Sequence, residues 1–325
     1  MTTVDQDEAD RVDAQIAADD TVGFSRAGYD ARRRTWDDAD MADVAGRSVI
    51  VTGGTAGVGR GAAESLARLG AHVVLLSRDA TRGATAVEEI RAASGNPRVE
   101  WVECDLASLS SVRHAAAEIL IKCPRVDVIV NNAGGMWDHR MVSVDGHEMT
   151  WATNVLGPFL LTELLTERLA ADGGGRIIEM TSGGAYSQKI DLTDLLGAPE
   201  DFNPKAVYSR TKRAQIILTE ERARQLADRG IVCHVCHPGW TDTPGLRDTA
   251  AMASFLARFG DTLRTPEQGA DTAVWLASAR EPGHCTGLLW HDRRPRGTHR
   301  VEETKETAAE RATLMATLSR LTRHD

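Results

Sequence analysis

The chain has 325 residues, 42% hydrophobic and 26% charged, with a formal net charge of −9, the balance of an ordinary soluble globular protein long enough to bury a large core. The acidic total disfavours a nucleic-acid partner, whose phosphates would be repelled. No run approaches the roughly 18 apolar residues of a membrane helix and no secretory signal is visible. Five scattered cysteines, Cys104, Cys123, Cys233, Cys236 and Cys285, set no disulfide framework, so a cytoplasmic protein with no membrane span is expected.

Residues 1–20 hold Asp5, Asp7, Glu8, Asp10, Asp13, Asp19 and Asp20 against Arg11 alone, so −6 of the charge lies there and −3 is spread over the other 305 residues. Acidic, Ala-rich and poor in large apolar groups, this leader is expected to be disordered. Residues 21–45 carry Phe24, Tyr29 and Trp36 among several arginines, which suits an arm packed on a domain. From residue 46 short apolar runs alternate with helical patterns. The runs are Ser48–Val51, His72–Leu76, Val99–Cys104, Val126–Val130, Arg176–Met180, Ile231–Cys236 and, more weakly, Gly287–Trp290. Between them lie Ala-, Leu-, Glu- and Arg-rich stretches such as Gly61–Leu69, Ala84–Ala93, Val112–Ile121 and Ala214–Ala227. Strands buried on both faces and joined by helices predict a doubly wound parallel sheet, a single α/β domain of the Rossmann kind over about residues 46–291. No repeat of 20 to 50 residues stands out. In the tail, residues 292–325, Leu314, Leu318 and Leu321 make one apolar stripe, so a final helix is expected to dock on the domain or on a partner subunit.

The first strand leads into Thr52-Gly53-Gly54-Thr55-Ala56-Gly57-Val58-Gly59, and a helix follows at once. Glycines at this junction let the backbone turn tightly and approach a pyrophosphate, while the helix N-terminus offers free N–H groups and a positive dipole end. A glycine cluster alone could be a plain turn; the strand before it and the helix after it supply the context for a nucleotide. At the end of the second strand an acidic residue would bind the ribose 2′-hydroxyl of NAD. Ser77 stands there instead and Arg78 follows, which favours NADP(H), with NAD(H) as the alternative.

Tyr208-Ser209-Arg210-Thr211-Lys212 puts Tyr208 and Lys212 one turn apart on a helix face. A nearby ammonium would draw the tyrosine pKa down from about 10, toward proton transfer between an alcohol and a carbonyl. Tyr-x3-Lys alone is a common accident. It gains meaning from Asn131-Asn132-Ala133-Gly134 at the end of the fourth strand, Asn154 on the next helix, Ser182 after the fifth strand and Pro238-Gly239 after the sixth. All of these fall at the crevice where doubly wound sheets bind ligands.

With these motifs in this order, residues 46–291 resemble the short-chain dehydrogenase/reductase family, a family of NAD(P)-dependent enzymes. The resemblance implies that Tyr208 is the general acid/base, that Ser182 hydrogen-bonds the substrate oxygen, and that Lys212 binds the nicotinamide ribose and lowers the Tyr208 pKa. Asn154 would hold a helix kink and a water relaying protons to Lys212. Gly53, Thr55, Gly57, Val58 and Gly59 would line the pyrophosphate, Ser77 and Arg78 the adenosine ribose, and Asp105 and Leu106 the adenine. Asn131, Ala133 and Gly134 would back the cofactor, with Pro238, Gly239 and Thr243 on the nicotinamide side. No metal site is implied, and family habit suggests a homodimer or homotetramer.

Ser182 and Tyr208 stand 26 apart, further than in many members. The insertion, Gly183–Val207, is polar, contains Pro199 and Pro204, and reads as a loop at the pocket rim, as in retinol-dehydrogenase-like members. A closer similarity is to the branch of dehydrogenase/reductase SDR family member 12. It is carried by Thr52-Gly53-Gly54, Val207-Tyr208, Lys212-Arg213, the stretch His237–Gly245, Arg258-Phe259-Gly260-Asp261 and Gln268–Thr272. The arm at Gly28-Tyr29 and the tail also look like that branch.

Cys233-His234-Val235-Cys236-His237 matches a c-type haem attachment pattern, but within a strand its two cysteines point to opposite faces, which also disfavours zinc. Tyr186 lacks a lysine at i+4 and a helix, so it is set aside as acid/base. The expected activity is hydride transfer between nicotinamide and a carbonyl or secondary alcohol. Met136, Trp137, Trp240, Phe255 and Phe259 suggest an apolar small-molecule substrate. The alternative is a non-catalytic dinucleotide-sensing or scaffolding protein, which would be expected to lose members of the Asn154–Ser182–Tyr208–Lys212 set.

Overall fold

The computed structural model describes residues 6–39, 41–171, 173–196 and 202–323; Asp5 and Pro199 lie outside these. Eight strands form one sheet in the order β3-β2-β1-β4-β5-β6-β7-β8. They are β1 (Ser48–Thr52), β2 (His72–Ser77), β3 (Val99–Glu103), β4 (Val128–Asn131), β5 (Arg176–Met180), β6 (Val232–Cys236), β7 (Leu288–His291) and β8 (Arg294–Arg296). The first seven are parallel, and β8 returns antiparallel on β7. The sheet therefore runs past the limit of 291 expected from apolar runs, because the polar Arg294-Pro295-Arg296 edge has no hydrophobic signature.

Alternate strand residues enter separate cores. Val49, Val51, Val73, Leu75 and Ile178 pack on one face; Ile50, Val74, Leu76, Ile129 and Ile177 pack on the other. Burial on both faces is what makes these strands read as continuous apolar runs. Cys233 falls in the second core and Cys236 in the first, so the C-x-x-C pair is split by the sheet, as alternation requires.

Ahead of the sheet come α1 (Gln6–Ala17), α2 (Asp20–Gly23) and α3 (Arg26–Arg33). The expectation of a disordered leader fails for residues 6–20. Ala9 and Ile16 are buried, and the carboxylate of Asp13 holds Arg32 at 2.7 Å and Arg296 at 2.6 Å. Ion pairs to distant residues order a segment whose composition alone would leave it unfolded.

The covering helices are α4 (Gly57–Arg68), α5 (Ala80–Ser94), α6 (Leu109–Lys122), α7 (Met149–Trp151), α8 (Gly157–Ala170), α9 (Thr193–Leu196), α10 (Pro204–Gln225), α11 (Pro244–Asp248), α12 (Ala253–Phe259), α13 (Pro266–Ser278) and α14 (Ala308–Thr322). Their ends follow capping chemistry: Asp79, Ser108 and Asn203 cap α5, α6 and α10, and Thr265 and Thr307 build capping boxes on α13 and α14. Asn203 with Pro204 at the first turn starts α10 four residues before Tyr208, so the expected loop from Gly183 to Val207 is partly helical. Leu314 and Leu318 of α14 join Trp151, Val155, Phe159, Val207 and Ile217 in a third cluster; the apolar stripe of the tail is docked on α8 and α10. No helix of the described residues is long and apolar enough to cross a membrane.

Candidate active site

The strand order reverses between β1 and β4, and the C-terminal ends of β1, β2, β4, β5 and β6 open onto one crevice. Gly53 and Gly57 adopt φ of +66° and +53°. A Cβ on Gly59 would lie 2.3 Å from the Gly53 carbonyl oxygen and from Asn132 Nδ2, so only glycine lets the loop fold this tightly. Ala56, at the N-cap of α4, makes no side-chain cap. The first N–H groups of the helix, around Gly57, Val58 and Gly59, are thus left for an anion. This uncapped, Cβ-free cradle fits a dinucleotide pyrophosphate.

Asn132, which the sequence did not single out, ties the loop: Nδ2 donates to the Thr52 carbonyl at 3.0 Å, while Thr52 Oγ1 accepts the N–H groups of Asn132 and Ala133 at 2.9 Å. Asn131 turns the other way. Its Nδ2 donates to Thr162 Oγ1 at 2.9 Å and Glu179 Oε1 at 2.8 Å, so its side chain braces the interior rather than facing the crevice. Thr55 is half-buried on the glycine loop, and Arg78 is exposed at the end of β2. Ser77 Oγ accepts the Trp101 indole N–H at 2.9 Å. Asp105 accepts the Ala107 N–H at 3.0 Å, and the Leu106 carbonyl presses on Gly157, which fixes the turn after β3. Thr243 caps α11 and sets its methyl 3.0 Å from where a Gly57 Cβ would lie, so the loops after β1 and β6 meet across the crevice. Pro238 precedes Gly239, whose φ of +73° keeps its Cα against Arg264.

The four candidate catalytic residues come together. Ser182 and Tyr208, distant in sequence, lie side by side, where the serine hydroxyl acts to lower the Tyr208 pKa. Lys212, 3% exposed, donates to the Met180 carbonyl at 2.9 Å and to Gln215 Oε1 at 3.0 Å, and its Nζ lies 5.5 Å from the Tyr208 ring centre. Asn154 sits in a π-helical turn, Ala152–Leu156; its Oδ1 accepts the Gly135 N–H at 2.8 Å and its Nδ2 donates to the Gly135 carbonyl at 3.0 Å. Gly134 leaves room beside both, since a Cβ there would come within 3.1 Å of Asn154 Oδ1 and 3.3 Å of Lys212 Nζ.

The pKa directions differ from the sequence expectation. Burial raises Tyr208 above 10, and the neighbouring Ser182 hydroxyl works against it. Burial lowers Lys212 to about 8, opposed by the nearby Glu179 carboxylate.

The outer rim is aromatic. Trp240 packs on Phe255 at 5.2 Å and Phe259 at 4.6 Å. Phe24 of the arm, missed in the sequence as a neighbour of the site, stacks on His237 at 4.6 Å and accepts the Trp240 N–H on its carbonyl at 2.7 Å. On the facing loop, Met136 and Trp137 are half-buried, and Asp138 accepts the N–H groups of Ala250 and Ala251 at 2.9 and 2.8 Å, joining the two sides. Tyr186 lies in a short 3-10 turn under the Arg300 guanidinium, away from any acid/base role. No group of three or more metal-ligating side chains occurs among the described residues.

Comparison with known proteins agrees with this geometry. A family model described as short chain dehydrogenase matches residues 47–253. Dehydrogenase/reductase SDR family member 12 of Bos taurus is 36% identical over 304 residues, 92% of this chain and 94% of its own length. Retinol dehydrogenase 13 of Homo sapiens is 34% identical over 273 residues, 82% of each. Among solved structures, the 3-ketoacyl-(acyl-carrier-protein) reductase from Brucella melitensis, complexed with NADH, superposes with a TM-score of 0.61 at 25% identity, covering 76% of this chain and 96% of that one.

Proposed function

The chain belongs to the short chain dehydrogenase family of NAD(P)-dependent oxidoreductases, and we propose that it moves a hydride between NADP(H) and a carbonyl or secondary alcohol of an apolar small molecule, with Tyr208 handling the proton. When bound, the nicotinamide supplies or takes the hydride; the protein positions, shields and transfers protons. The observation that carries the reading is the gathering of the four residues at one point: the Ser182 hydroxyl acts to lower the Tyr208 pKa, Lys212 Nζ lies 5.5 Å from the Tyr208 ring centre, and Asn154 holds the Gly135 N–H beside them.

The raised pKa keeps the Tyr208 hydroxyl protonated through the neutral range, the state needed to give a proton to a carbonyl oxygen as charge develops there. Ser182 holds that oxygen and supports the phenolate left behind. The uncapped start of α4 and the glycine loop take the pyrophosphate, and Arg78, exposed beside Ser77, takes the 2′-phosphate. The Trp240–Phe255–Phe259 rim favours an apolar substrate.

Replacing Tyr208 by Phe removes the proton donor and leaves the cradle. Turnover of NADPH against a panel of aldehydes, ketones, quinones and steroids is expected to fall about 10²–10⁴-fold, with NADPH binding by fluorescence nearly unchanged. Wild-type turnover in that variant sinks the mechanism.

A further inference from the structure

The proposed chemistry requires the Lys212 ammonium to stay at one point of the crevice, and the inference below rests on that reading. We propose that Gln215 is a positioning residue: its side-chain amide ties the Lys212 ammonium to the backbone carbonyl that the π-helical turn at Asn154 presents to α10.

Gln215 lies three residues after Lys212 on α10 and is 1% exposed, so it shares the inner face of that helix. Its Oε1 accepts from Lys212 Nζ at 3.0 Å, and its Nε2 donates to the Asn154 carbonyl at 3.0 Å. The amide has one possible orientation, because an ammonium only donates and a carbonyl only accepts. The Asn154 carbonyl is available because the residue four positions on, where its helical donor would stand, is Pro158, which has no N–H. The Asn154 side chain is fixed separately, with Nδ2 donating to Thr211 Oγ1 at 3.0 Å, and that hydroxyl donates to the Tyr208 carbonyl at 2.7 Å. Gln215 thus closes a ring of hydrogen bonds from the π turn through α10 to Lys212.

The resemblance to the family assigns a water to the link between Asn154 and Lys212. In this chain a side chain spans it. A primary amide keeps its protons at neutral pH, so the link fixes Lys212 without passing protons along it. The other groups facing the ammonium are Glu179 from β5, paired with Arg222 at 3.0 Å, the Cys236 thiol from β6, and Tyr208 on the same helix. Among the groups bonded to Lys212, Gln215 and the Met180 carbonyl are the acceptors that stabilise its charge, and burial works against both.

The chain has five lysines, Lys122, Lys189, Lys205, Lys212 and Lys305, so lysine labelled with ¹³C at Cε gives a spectrum simple enough to titrate residue by residue. The Lys212 signal is assigned by its loss in Lys212→Arg. In the full-length protein without cofactor, wild-type Lys212 is expected to titrate near 8. Gln215→Met keeps the length of the side chain and removes the acceptor, which is expected to lower that midpoint by about one pH unit. Gln215→Glu keeps an acceptor, so Lys212 is expected at or above the wild-type value. The other four lysines stay in place and report the fold; should the Met variant unfold, the direction in the Glu variant decides. An unmoved Lys212 in Gln215→Met, or a fall in Gln215→Glu, overturns the assignment. Because no turnover is measured, that failure leaves the proposed reaction standing, whereas wild-type turnover in Tyr208→Phe removes the reaction and leaves the lysine titration intact.

Discussion

The buried carboxylate of Asp292 offers the sharpest stability test. Asp292 and Arg293 form the two-residue turn between β7 and β8, at φ of +52° and +56°, a conformation that a non-glycine residue enters at some cost. What holds Asp292 there is charge. Its oxygens accept from Arg264 at 2.6 and 2.9 Å and from Arg32 at 2.7 Å, and all three residues are at most 3% exposed. Burial alone would raise this carboxyl, yet His291 and the two guanidiniums outweigh it and hold it far below 3.8. Asp292→Asn keeps the shape and tolerates the left-handed backbone, but strands the buried Arg264 and leaves Arg32 with the Asp13 carboxylate alone. Breaking such a pair costs about 3–5 kcal/mol, or roughly 4–7 °C in melting temperature for a chain of this size. Thermal melts followed by circular dichroism measure it. The sign with pH is fixed: a depressed carboxyl contributes fully above about pH 4, so the gap between the variant and wild type closes only as pH falls below that. Arg32→Met and Asp292→Asn each break the same Arg32–Asp292 bond, so the double variant should be more stable than the sum of the two singles. A shift under about 2 °C, or strict additivity, would refute the argument.

The same cluster makes acid sensitivity predictable. Burial lowers His291 to about 4 and His237 well below 6.5; the unfolded chain takes protons that the folded one refuses. Stability is therefore complete above pH 6.5 and declines as pH falls toward 4, by about 2 kcal/mol at pH 5 from His291, with His237 acting in the same direction; a melting temperature flat between pH 7 and 5 contradicts this. Cofactor preference rests on Arg78, and Arg78→Ala is expected to weaken NADPH about 10–100-fold with NADH little changed, since a charge-assisted contact to phosphate is lost. Fluorescence titration with both nucleotides checks it, and an equal loss for both refutes the role.

The central sheet was legible because its strands are buried on both faces, so each announces itself as an apolar run; β5 was read to the residue. Helix starts were less visible. α5 begins at Ala80 and α6 at Leu109, earlier than the apolar periodicity, because capping side chains and not hydrophobic contacts set those ends. Asn203-Pro204 carried a start signal of its own, hidden inside a polar insertion. The order in residues 6–17 had no local signature at all. It comes from Asp13 and Asp10 meeting Arg296 and Arg294, partners more than 280 residues away in the chain. At the site, the residue types of Tyr208, Lys212, Ser182 and Asn154 pointed to their chemistry. Their protonation did not follow from spacing, because burial, which spacing does not show, sets the direction of the Tyr208 shift.

The arm matters to the site for the same reason that it was hard to read. Arg264 donates to the carbonyls of Gly23, Phe24 and Ser25 at 3.0–3.1 Å, and its backbone N–H bonds to the Trp240 carbonyl at 2.7 Å. Trp240 in turn bonds the Phe24 carbonyl and centres the aromatic rim. Arm, rim and the β7–β8 turn therefore share one buried set of hydrogen bonds, anchored by Asp292. Apolar periodicity draws the domain boundary at residue 46, but the hydrogen bonds cross it: residues 23–25 supply backbone acceptors that no residue of the sheet provides to Arg264. A rim built this way is shaped by residues 23–25 as well as by the loop that carries Trp240, and a change in the arm reaches the crevice through the bonds of Phe24 to Trp240 and of Gly23, Phe24 and Ser25 to Arg264.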